Sequence, residues 1–419
     1  MRILVVGGGG REHALVWKIA QSPLVDSLYC APGNPGIAKL AECIDIAVDD
    51  IDALKDFALE KEIDLTVVGP EAPLVKGIAN TFHEAGLKIF GPSKEAAQIE
   101  GSKAFAKEIM DEQGVPTGSY RVFTDKAECL QYLKNTEPPY VIKADGLAAG
   151  KGVIIAEDID EAKNAVEDMM EKKIFGQAGT SVVIEEFLEG PEVSVLAFCD
   201  GKNILPMVSA QDHKKVYDGD RGPNTGGMGA FSPAPFYDEE LHAKVVTDIL
   251  EPVIEGFKKR GIIYKGVLYA GLIITNDGPK VLEFNCRFGD PETQPVLMRM
   301  ESDLVEIMLA VAKGTLDEVE LKWSPDPAVC VVLASGGYPG KYEKGKPISG
   351  LEEAEKETVV FHAGTGVNDN GQIVTAGGRV LGVTASGKSL EDAARKAYDA
   401  VNKISFNAMH FRKDIGAKK

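Results

Sequence analysis

The chain has 419 residues, too many for one ordinary core, so two to four domains are expected. Its formal net charge of −18 would repel a phosphate backbone and argues against a nucleic-acid partner. With 44% apolar and 26% charged residues it reads as a globular protein, and no apolar run reaches the length of a signal-peptide core or a membrane span.

The first hundred residues alternate strand and helix signals. An apolar run at 3–6 leads into four glycines and an amphipathic stretch at 11–21. Strands are expected at 27–31, 43–47, 65–68 and 88–90, with helical patterns between them. That alternation predicts a parallel, doubly wound sheet. Ser102 then starts a helix that Gly114-Val115-Pro116 ends. A small α/β unit follows at about 120–190, with paired strands at 140–143 and 153–156 around a glycine-rich loop and a further strand at 181–185. Residues 218–235 read as a long irregular loop. Strands at 267–274 and 280–284, a helix at 293–312 and a linker at 323–327 come next. The last ninety residues carry strands at 329–334, 358–361, 373–375 and 380–384 and a helix at 390–404. Six scattered cysteines, with no C-x-x-C pair, read as reduced thiols.

Four segments carry chemistry. Gly7-Gly8-Gly9-Gly10-Arg11-Glu12-His13 is not a dinucleotide fingerprint, because Glu12 or His13 stands where the third glycine belongs. The acidic residue expected about 20 residues on is also absent. The loop still offers N–H groups at a helix start, suited to an anion, and a purely structural turn stays open beside that. Residues 145–152 (DGLAAGKG) have three residues between glycines where a P-loop has four, and a strand follows instead of a helix. They read as a hairpin loop able to cover phosphates, or as a plain mobile turn. Residues 185–192 (EEFLEGPE) are a solvated strand end or a nucleoside site. In 283–294 (EFNCRFGDPETQ), Glu283 and Asn285 share one strand face, as two oxygen ligands for Mg²⁺ would, and Arg287 suits a carboxylate or phosphate.

Together these segments resemble the ATP-grasp superfamily, and within it the phosphoribosylamine–glycine ligase family. The resemblance runs nearly the whole length: GGGGREHAL at 7–15, VVGPEAPL at 67–74, KADGLAAGKGV at 143–153, GPNTGGMG at 222–229, EFNCRFGDPETQ at 283–294 and TAGGRVLGVTA at 375–385. It implies an α/β, ATP-grasp fold: an N-terminal doubly wound parallel-sheet domain at 1–101, an ATP-grasp domain at 102–325 with a mobile lid subdomain at about 120–190, and a C-terminal α+β domain at 326–419.

The implied activity is ATP-dependent ligation of glycine to 5-phosphoribosylamine through glycyl phosphate, in purine biosynthesis. Lys103 and Lys143 would contact the ATP phosphates, with Gly146, Gly150, Lys151 and Gly152 closing over them. Glu185, Glu186 and the Leu188 backbone would lie at the adenine and Glu192 at the ribose. Glu283 and Asn285 would hold Mg²⁺ or Mn²⁺. The wider superfamily often has another acidic ligand about twelve residues earlier; here that stretch reads Tyr269-Ala270-Gly271-Leu272. Arg287 would grip glycine and the developing phosphate, and Asp212 its ammonium, although a plain surface carboxylate stays open for Asp212. Phosphoribosylamine would meet Gly9, Gly10, Arg11, Pro70, Glu71 and Arg379. The chain is expected to be a cytoplasmic monomer with small-molecule partners only. A nicotinamide-dependent dehydrogenase, a nucleotide sensor and another ATP-grasp ligase are the competing readings. None of the three needs the whole of 283–294.

Overall fold

The structure is a computed structural model describing residues 1–148 and 152–417. Its N-terminal sheet has five parallel strands in the order Glu42–Cys43, Ser27–Pro32, Arg2–Gly7, Leu65–Val68, Ile89–Phe90. Ile3, Leu4, Val5 and Val6 are fully buried, as a strand covered on both faces requires. Chain order reverses between Arg2–Gly7 and Leu65–Val68, and the crevice beyond their carboxyl ends holds Gly8–Gly10 and Gly69–Glu71. The expected strand at 43–47 is shorter: it ends at Cys43, with one further bond from the Ile44 N–H to the Cys30 carbonyl at 2.8 Å.

The middle of the chain builds two antiparallel sheets. One has the order Tyr120–Phe123, Val182–Glu185, Tyr140–Ala144, Val153–Ala156. The other runs Ile204–Pro206, Glu192–Asp200, Lys265–Thr275, Gly278–Asn285. The helix Lys103–Gln113 is capped by Ser102 Oγ, which accepts from the Phe105 N–H, and ends at Gly114 in the left-handed conformation (φ 68°). The expected single helix at 293–312 is two, Thr293–Arg299 and Leu304–Lys313, because Asp303 caps the second by accepting from the Val305 N–H.

The stretch at 218–235 is not the irregular loop expected. Arg221–Asn224 pairs with Lys215–Tyr217, and Gly229–Ser232 joins the C-terminal sheet, whose order is Gln211–Asp212, Gly229–Ser232, Ala328–Ser335, Arg379–Ser386, Val359–His362. Glycine and proline content masked these strands, since their partners lie as much as a hundred residues away. A buried junction ties this sheet to the N-terminal one. The His362 backbone N–H donates to His13 Nδ1 at 2.7 Å, and Asn34 Nδ2 donates to the carbonyls of His362 (2.9 Å) and Gly8 (3.0 Å). All six cysteines are free thiols.

Candidate active site

A cleft of about 1140 Å³ is lined by both middle sheets, by Arg11 and Glu71 at the starts of helices that follow N-terminal strands, and by Arg379 from the C-terminal sheet. One end holds lysines. Lys143 and Glu185 sit on neighbouring strands, and Lys143 Nζ donates to Glu185 Oε2 at 2.9 Å and to the Leu282 carbonyl at 2.9 Å. Lys107, one helical turn after Lys103, contacts the same Glu185 oxygen at 3.1 Å and donates to Thr117 Oγ1 at 2.8 Å. Lys103 Nζ donates to the Gly146 carbonyl at 3.1 Å, and Asp145 accepts from Ala104 N and Ser102 Oγ. The start of the 145–152 loop is thereby fastened to the helix that carries Lys103. Gly150 and Lys151 lie outside the described residues.

Glu283 and Asn285 lie on the strand Gly278–Asn285 of the other middle sheet. Burial alone would raise the Glu283 carboxyl, but Lys214, Lys143, Lys103 and Arg287 outweigh it and hold it below its ordinary value. Asn285 Oδ1 accepts from Arg287 Nη2 at 3.3 Å. Among the described residues no three His, Cys, Asp or Glu side chains gather as a closed metal cage. The donor set is two hard oxygens, which fits Mg²⁺ or Mn²⁺ completed by a nucleotide's phosphates.

At the other end, Arg287 lies between two carboxylates, Glu71 (Nε to Oε2, 3.0 Å) and Glu100 (Nη2 to Oε1, 2.7 Å), and Glu100 also accepts from the Cys286 N–H at 2.8 Å. Burial would raise Glu71, yet Arg287 and Arg11 hold it down at about 2. Arg11 donates to Glu12 at 2.6 Å and to the Phe288 carbonyl at 3.1 Å. Glu12 Oε2 in turn accepts from the Gly9 N–H at 2.7 Å, so the protein's own carboxylate takes the anion position at the glycine-rich loop. This is why glycine is needed there. A Cβ on Gly7 (φ +133°) would lie 2.2 Å from Glu12 Cγ, and one on Gly69 2.2 Å from Glu12 Oε1. Pro70 begins the turn that presents Glu71.

Between the ends lies an acidic patch. Lys214 Nζ donates to Glu192 at 2.8 Å; Glu292 accepts from Tyr269 at 2.8 Å and from Ser194 at 3.2 Å. Burial, reinforced by Glu292, Glu192 and Glu283 and opposed by Lys214, pushes Asp212 up to about 8. Asp212 is half-buried and lines the cleft. Glu186 accepts from the Ser119 N–H at 2.9 Å, and Leu188 lines the cleft close by. Arg379 donates to the carbonyl oxygens of Gly226 (2.5 Å) and Asp290 (2.7 Å) and pairs with Asp290 Oδ2 at 3.0 Å. It joins the 222–229 and 283–294 segments, and Tyr338 adds a bond by accepting from the Gly226 N–H at 3.0 Å.

The structure therefore gathers Lys103, Lys143, Glu185, Glu192, Asp212, Glu283, Asn285, Arg287 and Arg379 around one cleft. Lys107, Glu100, Lys214 and Glu292 were missed from sequence. Only Lys107 left a signal, its four-residue spacing from Lys103.

Family models for phosphoribosylglycinamide synthetase match three successive segments: the N domain at 1–100, the ATP-grasp (A) domain at 101–293 and the C domain at 328–418. The chain is 55% identical over 417 residues, covering 100% of both chains, to a phosphoribosylamine–glycine ligase of Caldanaerobacter subterraneus subsp. tengcongensis. It is 54% identical to that of Pseudomonas aeruginosa, covering 99% of this chain and 97% of the relative. The crystal structure of phosphoribosylamine–glycine ligase from Thermotoga maritima superposes with a TM-score of 0.85 at 35% identity, over 99% of this chain and 100% of that one. A biotin carboxylase domain from Hydrogenobacter thermophilus, 17% identical with a TM-score of 0.74 over 98% and 91% of the two chains, shares the fold.

Proposed function

The chain belongs to the phosphoribosylglycinamide synthetase family, and from that premise we propose that it ligates glycine to 5-phosphoribosylamine, with ATP giving ADP and phosphate through a glycyl phosphate. It is an ATP-grasp ligase of purine biosynthesis. One observation carries the proposed chemistry: Glu283 feels four cations, Lys214, Lys143, Lys103 and Arg287, in a cleft wide enough for a nucleotide. Cations suited to phosphates thus converge on a carboxylate suited to a metal.

A glycine carboxylate oxygen attacks the γ-phosphorus and ADP leaves. The 5-phosphoribosylamine nitrogen then attacks the carbonyl carbon and phosphate departs with that oxygen. The protein's task is to position the reactants and neutralise charge. Lys103 and Lys143 face the phosphates, while Glu185, Glu186 and the Leu188 backbone face adenine and Glu192 the ribose. Glu283 and Asn285 would hold Mg²⁺ or Mn²⁺, which supplies charge neutralisation at the transferring phosphoryl group. Arg287 turns toward glycine's carboxylate, and Asp212 accepts its ammonium; an arriving cation would favour the carboxylate form that burial disfavours. Gly9, Gly10, Arg11, Pro70, Glu71 and Arg379 form the 5-phosphoribosylamine end, which the strand-order reversal supports.

We divide the chain at 1–101, 102–325 and 326–419, with a mobile lid at about 120–190; the main sheets respect this division except that Gln211–Asp212 and Gly229–Ser232 join the C-terminal sheet. Among the described residues no helix is long and apolar enough to cross a membrane, and we place the enzyme in the cytoplasm as a monomer.

Glycine labelled with ¹⁸O in its carboxylate tests the mechanism. One labelled oxygen should reach inorganic phosphate per turnover, read by phosphorus NMR. Label found in AMP, or unlabelled phosphate beside labelled product, would end the acyl-phosphate proposal.

A further inference from the structure

Lys107 lies beneath the lysine end of the cleft with 2% of its surface exposed. An ammonium has three N–H donors, and this one has three neighbours: Glu185 Oε2 at 3.1 Å, Thr117 Oγ1 at 2.8 Å and the Tyr120 ring, whose centroid is 5.1 Å away. Thr117 Oγ1 donates onward to the Val281 carbonyl at 2.7 Å, while Lys143 links the same Glu185 oxygen to the Leu282 carbonyl. The bonds run from Val281 through Thr117, Lys107, Glu185 and Lys143 to Leu282. Both anchors are consecutive peptides of the strand that carries Glu283 and Asn285.

Two lysines therefore share one buried carboxylate, and their settings differ. Both line the cleft, but Lys107 is moored by the Thr117 side chain and the Tyr120 ring, whereas beyond Glu185 Lys143 holds only the Leu282 backbone carbonyl among the described residues. If phosphates draw Lys143 toward them, Glu185 loses one cation and keeps the other. A buried carboxylate left with no cation would be costly, and Lys143 would be held back.

We propose that Lys107 is the positioning residue that frees Lys143 for the nucleotide and fixes Glu185 as a hydrogen-bond acceptor, so that a purine bearing a 6-amino group is selected over one bearing a 6-oxo group. The proposal rests on the cleft being the ATP site. A fixed carboxylate accepts from the amino group of adenine and opposes the O6 acceptor of guanine. Without Lys107, Glu185 competes with the phosphates for Lys143 and is no longer held toward the base.

The test is steady-state kinetics on the full-length enzyme with ATP or GTP varied, alongside the KM for glycine and a thermal melt. Lys107→Met should lower kcat/KM for ATP by about tenfold to a hundredfold, the range for a buried charged hydrogen bond. It should lower that for GTP less, narrowing the ATP/GTP ratio, with the glycine KM unchanged; Lys107→Arg should restore part of the ratio. Thr117→Val keeps the ammonium but removes its mooring, so it should narrow the ratio by a smaller factor, and it decides the matter if Lys107→Met fails to fold. Glu185→Gln should narrow the ratio by itself, and adding Lys107→Met to it should change the ratio no further. An unchanged ratio in Lys107→Met and Thr117→Val, with Glu185→Gln still narrowing it, overturns the role of Lys107 and leaves the ATP site standing. Indifference of ATP turnover to both Glu185→Gln and Lys143→Met overturns the site, and the role of Lys107 with it.

Discussion

The two ends of the cleft are built on opposite plans. At the lysine end, Lys107 and Lys143 converge on one carboxylate, and Lys103 turns to a carbonyl; cations are in excess. At the arginine end, the single guanidinium of Arg287 is clasped by Glu71 and Glu100, and Arg11 by Glu12; carboxylates are in excess. The first plan draws polyanions. The second holds one cation still and cross-links segments that are far apart in sequence. The lysine end thus has cations to spare for an arriving polyanion and the arginine end is braced in advance, across a cleft whose middle is Glu283.

Removing Glu283 strikes where the two plans meet. Glu283→Ala should abolish ligation while the protein stays folded, since several kcal/mol of charge stabilisation in phosphoryl transfer would go. Near-normal turnover at saturating Mg²⁺, with an unchanged melt, would detach this residue from the chemistry.

The bracing end should answer in stability. Glu100→Ala strips a buried partner from both Arg287 and the Cys286 N–H, and a loss of roughly 3 kcal/mol is expected in urea unfolding. Thr117→Val at the opposite end should cost about 1 kcal/mol, and an equal cost would erase the distinction.

Acid should weaken the bracing side through its junction with the C-terminal sheet. Burial, helped by His362 and Lys39, lowers His13 to about 3, and burial with Lys39 lowers His362 to about 4. Between those values and the ordinary 6.5 the unfolded chain binds more protons than the folded one. Stability from these groups is therefore complete above pH 6.5 and falls below it, by up to about 1.4 kcal/mol per pH unit for each histidine. Unfolding midpoints at pH 7 and pH 5.5 should separate more in the wild type than in His13→Gln. Equal separations would remove His13 from the junction's acid response.

Smallest of all, Tyr338→Phe leaves the Gly226 N–H without its hydroxyl acceptor and should cost about 1 kcal/mol locally. The readout is faster amide exchange at Gly226 with an unchanged melting temperature.

Local pattern carried the N-terminal sheet into view, because strands buried on both faces are written as uninterrupted apolar runs such as Ile3–Val6. It failed at residues 211–232, whose strands are short and set in glycine-rich sequence, and of which Gly229–Ser232 pairs with Ala328–Ser335 far along the chain. Glu283 and Asn285 were legible because a strand's two-residue period puts them on one face, and Arg287, just past the strand's end, because a guanidinium there suits a carboxylate or phosphate. Glu100, Glu292 and Lys214 were not. Their roles arise from what the fold brings beside them, and an isolated carboxylate on a helix says nothing of the arginine it will meet.

The two strands lent to the C-terminal sheet also set a timetable. Gly229–Ser232 lies against Ala328–Ser335, which lies against Arg379–Ser386. On the ribosome, the middle of the chain must wait with an unpaired edge until nearly all of the protein has been made, on the order of ten seconds at ordinary synthesis rates. During that interval the nascent chain presents very short edge strands beside or within the glycine- and proline-rich stretch 218–235, a setting that pairs poorly with strangers. The composition that hid these strands from a reader also shields them from wrong partners.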